Sequence, residues 1–414
     1  MKKLGILVGA LLISFQSYGS TLDELIVQLK QDGYSAKYRT LEEKQLTIEN
    51  KKIELIDRDG IDIDGSGSVT DDVNGGRTTG DISASYDFFK YEGTYDVEYS
   101  GENKQLFGVE KNLKDIFYGN KKYSQNLFTI DEITRLNAED ERMDEEIIAL
   151  IDLYKTLIDK RLELKLKESL LPSLEADAAK LEIGFKTGQS SKLDYKYSKM
   201  SLRNTNNDIE QLKLDLIQIE KTFETTFNLK IYSDINYTKL EELNMNDIKN
   251  IGDRSLENID LAIDLADENK KYSTYDTKWA NFNAGTFYDV KNNGWLMRIS
   301  FDKTLFEYDD TSATYEVEKE KLEMEKEKLV KSLRNQKDEY LNQYNSLLKE
   351  ISNLRLQDEV DEMTYKIYKL NYEQGNETYI NYIEKYEDYI ANSIALEQKE
   401  NELTAFIYEM QYRR

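Results

Sequence analysis

The sequence predicts a mainly helical chain that also carries a membrane β-barrel, in pieces too few to close within one copy. Three observations lead there. A helix–turn–helix signature occurs twice, each half holds a ribbon of alternating apolar and polar residues, and the N-terminus has the pattern of an export signal. The signature reads Phe185-x2-Gly188-x4-Leu193-Asp194-Tyr195, and again Tyr372-x2-Gly375-x4-Ile380-Asn381-Tyr382. In each copy a long polar helix runs into an aromatic residue, turns at glycine and restarts as a second amphipathic helix, which predicts an internal duplication.

Met1-Lys2-Lys3, the apolar run Leu4 to Phe15 and the small residues Ser17 and Gly19 read as a signal peptide over 1–19. That apolar run is too short to span a bilayer. The first repeat is expected over 20–227. It opens on a capping box, with Thr21 as N-cap and Glu24 as its partner three residues on. Helix then continues past a break at Gly33 to about Ile56. From Asp57 the period falls to two, and a strand pair is expected over about 59–101. Ile61, Ile63 and Val69 alternate with Asp62, Asp64, Ser66 and Ser68, and the Asn74-Gly75-Gly76 turn follows. In the second strand Ile82, Ala84, Tyr86 and Phe88 share a face, and a bulge at Phe88-Phe89 shifts the phase to Tyr91, Tyr95 and Tyr99. Helix is expected from about Glu102 to Gly184, a hairpin turn at 185–192, and a return helix to Phe227.

A connecting segment, 228–255, separates this half from a second repeat over 256–414. There Ser255 caps a helix to Lys278, and a strand pair over about 279–306 alternates through Ala280, Phe282, Ala284, Thr286 and Tyr288. Asn292-Asn293-Gly294 is a turn, and Trp295, Met297, Ile299 and Phe301 form the returning apolar face. A helix of about sixty residues follows, roughly 90 Å at ~1.5 Å per residue. The second turn lies at 373–379, and a last helix reaches Arg414.

Composition narrows the function. The chain has no cysteine and no histidine, so disulfides, thiolate chemistry and the commonest general base and metal ligand are absent. An enzyme is disfavoured, and neither cofactor nor metal is expected. A formal charge of −24 argues against nucleic acid as a partner. Asp62-x-Asp64-x-Ser66-Gly67 imitates the start of an EF-hand calcium loop, but position twelve is Val73 where a bidentate Glu is required, and the flanks read as strand. No Walker sequence, dinucleotide fingerprint or nucleophile elbow occurs, so any work on a substrate draws its energy from elsewhere.

Two-stranded ribbons with an apolar aromatic face are not stable alone in water. In an exported chain such ribbons can close into a membrane barrel, apolar face to lipid and polar face to lumen. Four strands cannot close, since about eight is the smallest such barrel, so the expectation is a homotrimer pooling twelve. Tyr86, Tyr95, Tyr99, Trp279 and Trp295 are candidates for an interfacial aromatic belt against outer-membrane lipid.

The order of helix, strand pair and long helical hairpin, given twice with a glycine at each turn, resembles the TolC family of outer-membrane efflux proteins over the whole mature chain. The resemblance implies a homotrimer with a twelve-stranded barrel and a periplasmic α-barrel. It further implies a duct for efflux or type I secretion, opened at its periplasmic tip by an adaptor protein and coupled to an inner-membrane pump. Gly188 and Gly375 match the tip glycines, with Thr187, Gln189, Gln374 and Asn376 as adaptor contacts. Asp194 matches a carboxylate that latches the closed aperture, Tyr372 an aromatic latch residue, and Glu384 an acidic constriction ring. Glu377 stands where a latching arginine occurs and Asn381 where an aspartate does, so that salt bridge cannot form here. Repeated by threefold symmetry, Asp194 and Glu384 would set carboxylate rings that favour cations. A different reading of the long helices is a secreted or surface-associated coiled-coil adhesin or scaffold, but heptads are not sustained.

Overall fold

The computed structural model describes residues 21–56, 60–72, 75–97, 103–231, 242–303 and 310–414. The signal peptide expected over 1–19 lies outside them, as do Val73, Asn74 and Tyr99. The described elements are α1 (Leu22–Asp32), α2 (Tyr34–Glu54), β1 (Asp62–Asp72), β2 (Gly75–Tyr86), β3 (Phe89–Asp96), β4 (Lys104–Asn112), α3 (Leu113–Tyr118), α4 (Asn120–Thr187), α5 (Lys192–Thr222), α6 (Met245–Lys249), α7 (Asp253–Lys278), β5 (Asn281–Asp289), β6 (Gly294–Asp302), α8 (Thr311–Glu373) and α9 (Tyr379–Met410). They fall into two units. One comprises the residues up to Tyr38 with Asp140–Gly252 and Leu333–Arg414; the other comprises Arg39–Glu139 and Asp253–Ser332.

The first unit is helical. The Thr21–Glu24 capping box starts α1, whose Leu22, Leu25 and Leu29 pack with Ile147, Leu150 and Tyr154 of α4 and with Phe223 and Phe227. Those two phenylalanines belong to a π-helical turn, Phe223–Phe227, that ends α5 at left-handed Asn228. Ile248 of α6 packs with Leu347 and Ile351 of α8 and with Phe406 and Met410 of α9. A third cluster joins Leu170, Leu174 and Leu181 of α4 to Tyr379, Tyr382 and Ile383 of α9. Helix α4 runs 68 residues through Pro172, which removes one backbone donor without ending it.

The second unit holds one antiparallel six-stranded sheet in sequence order, β1-β2-β3-β4-β5-β6. This corrects the expected four strands. Phe88-Phe89 is not a bulge within a strand. Asp87 and Phe88 form a two-residue turn, Asp87 takes the left-handed conformation at φ 54°, and Tyr86 pairs with Phe89 across it. Likewise Lys104–Asn112 is strand β4 rather than helix, because its backbone is paired on both sides, with β3 and with β5. The second ribbon is as expected: left-handed Asn293 closes the turn, and the Asp289 carboxylate accepts from the backbone N–H groups of Lys291 and Asn292 at 3.1 and 3.2 Å. Asp62, Asp64 and Ser66 lie in the β1–β2 ladder, a strand and not a calcium loop.

The helices of this unit are joined largely by polar pairs. Arg135 of α4 bonds to Glu42 and, at 2.7 Å, to Glu49 of α2. Glu268 of α7 accepts from Tyr118 and Asn126, beside the stacked rings of Tyr123 and Tyr272.

Candidate functional site: a sheet turned inside out and two matching turns

Side chains alternate along each strand, and the ladder register decides which residues share a face. One row runs Ile63, Ala84, Tyr91, Phe107, Tyr288 and Trp295 across all six strands. Val69, Ile82, Tyr86, Phe89, Val109, Met297, Ile299 and Phe301 share that face by the same register. It is apolar, and it is the exposed one: Trp295 is 75%, Met297 70% and Phe301 71% exposed. Gly93 completes the face by leaving room for Tyr91 and Tyr95, whose hydroxyls meet at 2.6 Å.

The opposite face is mostly polar and is more covered over β3 to β5, while β1 and most of β6 are exposed on both faces. Arg298 donates to both carboxylate oxygens of Glu92 at 2.8 Å each. Lys90 lies 3.2 Å from Glu92 and 2.9 Å from Glu110, so two cations and two carboxylates form one network over β3, β4 and β6. The Arg298 guanidinium also sits 4.6 Å above the ring of Phe287. Phe287 is fully buried on this face, seated over Gly108 and Gly285, where any Cβ would meet its ring. Nearer the β2–β3 edge Arg77 pairs with Asp96 at 2.7 Å. An ordinary soluble sheet buries its apolar face; this one exposes it and gathers its charges on the covered side. The network was missed in the sequence because Glu92 and Arg298 stand 206 positions apart. The alternation of Lys90, Glu92 and Glu110 with aromatic neighbours was the available signal.

The two helical hairpin turns, both in the first unit, are built alike. Each ends in a Schellman motif. Gln189 N–H donates to the Gly184 carbonyl at 2.7 Å and Gly188 N–H to Phe185 at 3.2 Å; Asn376 N–H donates to Asn371 at 2.8 Å and Gly375 N–H to Tyr372 at 3.0 Å. Gly188 and Gly375 take φ values of 79° and 78°, in the left-handed region that favours glycine. Ser191 then caps α5 and Thr378 caps α9. In both turns an aromatic pair staples the two helices: Phe185 stacks on Tyr195 at 5.2 Å and Tyr372 on Tyr382 at 5.0 Å. These contacts account for the aromatic residue before each glycine and the tyrosine after it.

Among the expected latch residues, Asp194 accepts from the Ser191 hydroxyl at 2.7 Å, within the cap of α5. Asn381 donates to Glu377 at 2.6 Å, so this pair closes on itself inside the second turn. Tyr372 is half-buried beneath Lys180, whose ammonium stands 4.9 Å from the ring centre. Burial and the negative charges of Asp177 and Asp194 push its hydroxyl pKa up to about 12, which places Tyr372 and Asp194 in one electrostatic neighbourhood. Glu384 is exposed on α9. Thr187 bonds back to the Ile183 carbonyl, while Gln189, Gln374 and Asn376 lie at the exposed turns.

Sequence reasoning overlooked Asp177. It is half-buried near Tyr372, Tyr379 and Tyr382, one carboxylate oxygen has no hydrogen-bond partner, and burial raises its pKa against the opposing Lys180 and Lys369. The run Tyr365, Tyr372, Tyr379, Tyr382, Tyr386 and Tyr389, spaced at helical intervals, was the signal for this cluster.

Of the proposed aromatic belt, Tyr86, Tyr95 and Trp295 lie on the exposed apolar face, and Trp279 is exposed where α7 gives way to β5. Tyr99 is outside the described residues. Among the described residues no helix is long and apolar enough to cross a membrane.

Solved outer-membrane channels share this fold of a sheet with an exposed apolar face and long helical hairpins. CusC, a transmembrane channel, matches with a TM-score of 0.69 at 13% identity, over 97% of this chain and 94% of its own. The outer-membrane channel MtrE of Neisseria gonorrhoeae, in an open state, matches at 0.68 and 13%, over 95% and 88%. The outer-membrane protein VceC of Vibrio cholerae matches at 0.65 and 11%, over 94% and 96%. These are channels of the TolC family, and the likeness at such identities is one of fold. No family model and no curated protein matches the sequence.

Proposed function

We propose that this chain is the subunit of an outer-membrane exit duct, passive in itself and trimeric, serving efflux or type I secretion. The observation that carries the reading is the sheet: an exposed apolar face backed by a covered, charge-paired one suits lipid outside and water inside. A coiled-coil adhesin or scaffold gives no reason to leave Trp295, Met297 and Phe301 in water. The matching turns support an internal duplication, with 20–227 and 256–414 as its repeats and 228–255 between them.

In this reading Gly188 and Gly375, with Thr187, Gln189, Gln374 and Asn376, form the periplasmic tip on which an adaptor docks. Asp194, Tyr372 and Glu384 narrow the aperture, while Glu377 and Asn381 stiffen the second turn instead of latching to a neighbour. Tyr86, Tyr95, Tyr99, Trp279 and Trp295 anchor the barrel at the lipid interface. An adaptor that binds the splayed tip more tightly than the closed one shifts the population toward opening, and an inner-membrane pump supplies the energy. The test is to fractionate the envelope, extract the outer membrane in mild detergent, and determine the oligomer mass corrected for bound detergent. A trimer there supports the duct; a soluble monomer or dimer refutes it.

A further inference from the structure

We propose that the assembled barrel has eighteen strands rather than twelve, closed by pairing β6 of one copy with β1 of the next. The proposal rests on the trimeric duct reading. Its new element is the strand count and the identity of the edges that meet.

Four observations carry it. First, β1 and β2 belong to the same ladder as the other strands; their pairing is continuous from Asp62↔Ser85 to Asp72↔Gly75, and β2 pairs β3 from Thr79↔Asp96 to Tyr86↔Phe89. Second, the apolar face does not stop at β3: by register Ile82 and Ala84 extend it to β2, and Ile63 and Val69 to β1, a strand exposed on both faces. A hairpin standing in water outside the membrane would have no reason to keep that alternation in phase. Third, the strands run 8 to 12 residues. A tilted strand needs about 9–11 to cross a bilayer, so β1 and β2 are long enough to cross.

Fourth, the sheet ends at two long edges, β1 and β6, which pair with no further strand among the described residues. Natural edges are blunted by proline, lysine or bulges. The chain's single proline is Pro172, and neither β1 nor β6 contains a lysine. Inside a membrane an unpaired edge is excluded, since lipid offers its N–H and C=O groups no partner. Direction also fits. With six antiparallel strands β6 runs opposite to β1, so the new junction is antiparallel and every chain enters and leaves the barrel on the helical side. Because barrel diameter grows roughly linearly with strand number, eighteen strands make a lumen about 1.5 times as wide as twelve.

The chain has no native cysteine, which makes the junction directly testable. In the full-length protein in native outer membranes, Ser300→Cys on β6 is combined in turn with Asp62→Cys, Asp64→Cys, Ser66→Cys, Ser68→Cys or Thr70→Cys on the same face of β1, then oxidised. The scan samples the registers that set Ser300 opposite Asp62 through Thr70. At least one pair is expected to give covalent trimers on a denaturing gel. Ser300→Cys with Thr94→Cys on β3, which meet only if β1 and β2 stand aside and twelve strands close, is expected to give none. Cross-linking of the Thr94 pair, cross-links confined within single chains, no product from any β1 pair in an intact trimer, or a dimeric mass giving twelve strands each overturns the proposal. Absence of any oligomer from the outer membrane overturns the duct reading itself.

Discussion

Gly375 and Gly188 offer a perturbation whose intramolecular part can be calculated. A Cβ built on either glycine meets nothing within 4 Å, so the φ near +78° is the only reason inside this chain for glycine. Alanine there loses about 1–2 kcal/mol to left-handed strain, and asparagine, which enters that region more readily, loses less. Unfolding of the whole protein is a poor assay, since large chains of more than one unit often unfold irreversibly. Hydrogen exchange across Phe185–Asp194 and Tyr372–Asn381 reports the local opening directly. Gly375→Ala is expected to raise opening of its own turn about 5- to 30-fold and leave the other turn unchanged, with Gly375→Asn well below that. Gly252 is the comparison: its φ is also 79°, but a Cβ there strikes Leu333, so Gly252→Ala adds overpacking of about 1–3 kcal/mol to the same strain. Equal effects at Gly252 and Gly375, or exchange at Gly375→Ala within twofold of the parent, would refute the reasoning. The same variants separate folding from docking. A Gly375→Asn protein with a quiet turn that nevertheless fails to support transport has lost an external contact, because no internal one exists.

Phe287→Ala should destabilise the sheet by about 3–5 kcal/mol, since a fully buried ring is removed from over Gly108 and Gly285; heat-induced loss of the folded band on a cold gel measures it. Arg298→Gln leaves Glu92 facing Lys90 alone and should shift reversal potentials in a salt gradient toward cation preference, whereas an unmoved potential would deny the network a place along the lumen. Removing charge at Glu384 by Glu384→Gln should weaken cation block of single-channel conductance, and identical block would strike it from the constriction. Burial raises the Asp177 pKa above its usual 3.8, so the folded hairpin binds the proton more readily than the open one. Its stability therefore falls as pH rises from about 3.8 through the raised value, and the penalty is fully present at neutral pH. Asp177→Asn should slow exchange at the Tyr372–Tyr382 staple near pH 7 and flatten its pH dependence after correction for intrinsic rates; an unchanged pH profile would dismiss the assignment.

The legible parts of this fold were those whose signal is local. β5 and β6 alternate cleanly around Asn292-Asn293-Gly294, and the Thr21–Glu24 box marks the start of α1 from four residues. The first half misled for two reasons. Phe88 and Phe89 are adjacent aromatics, which look the same as a phase slip whether the chain bulges or reverses, and only the φ of Asp87 tells them apart. In β4, Leu106 and Phe107 are consecutive apolar residues on opposite faces, Leu106 buried at 2% exposure and Phe107 outward, and the surrounding Lys and Glu mimic a helix surface. The turn glycines were found because their spacing repeats. Asp177 and the Glu92–Arg298 pair were not, because each depends on partners supplied by distant segments.

The junction of β4 with β5 has a consequence for the order of biosynthesis. Leu106 pairs with Asp289, and between them lie α3 through α7, while each remaining strand pairing is made between neighbours in sequence. Bringing those two strands together closes by far the longest loop in the sheet, so this step carries the largest chain-entropy cost and is the slow one. A nascent chain that has left the ribosome only as far as α7 therefore holds a four-stranded fragment with an apolar face and an open β4 edge. That fragment needs shielding until β5 arrives, and a chain that stops between Asn112 and Asn281 keeps its apolar face and open β4 edge, a species prone to aggregate.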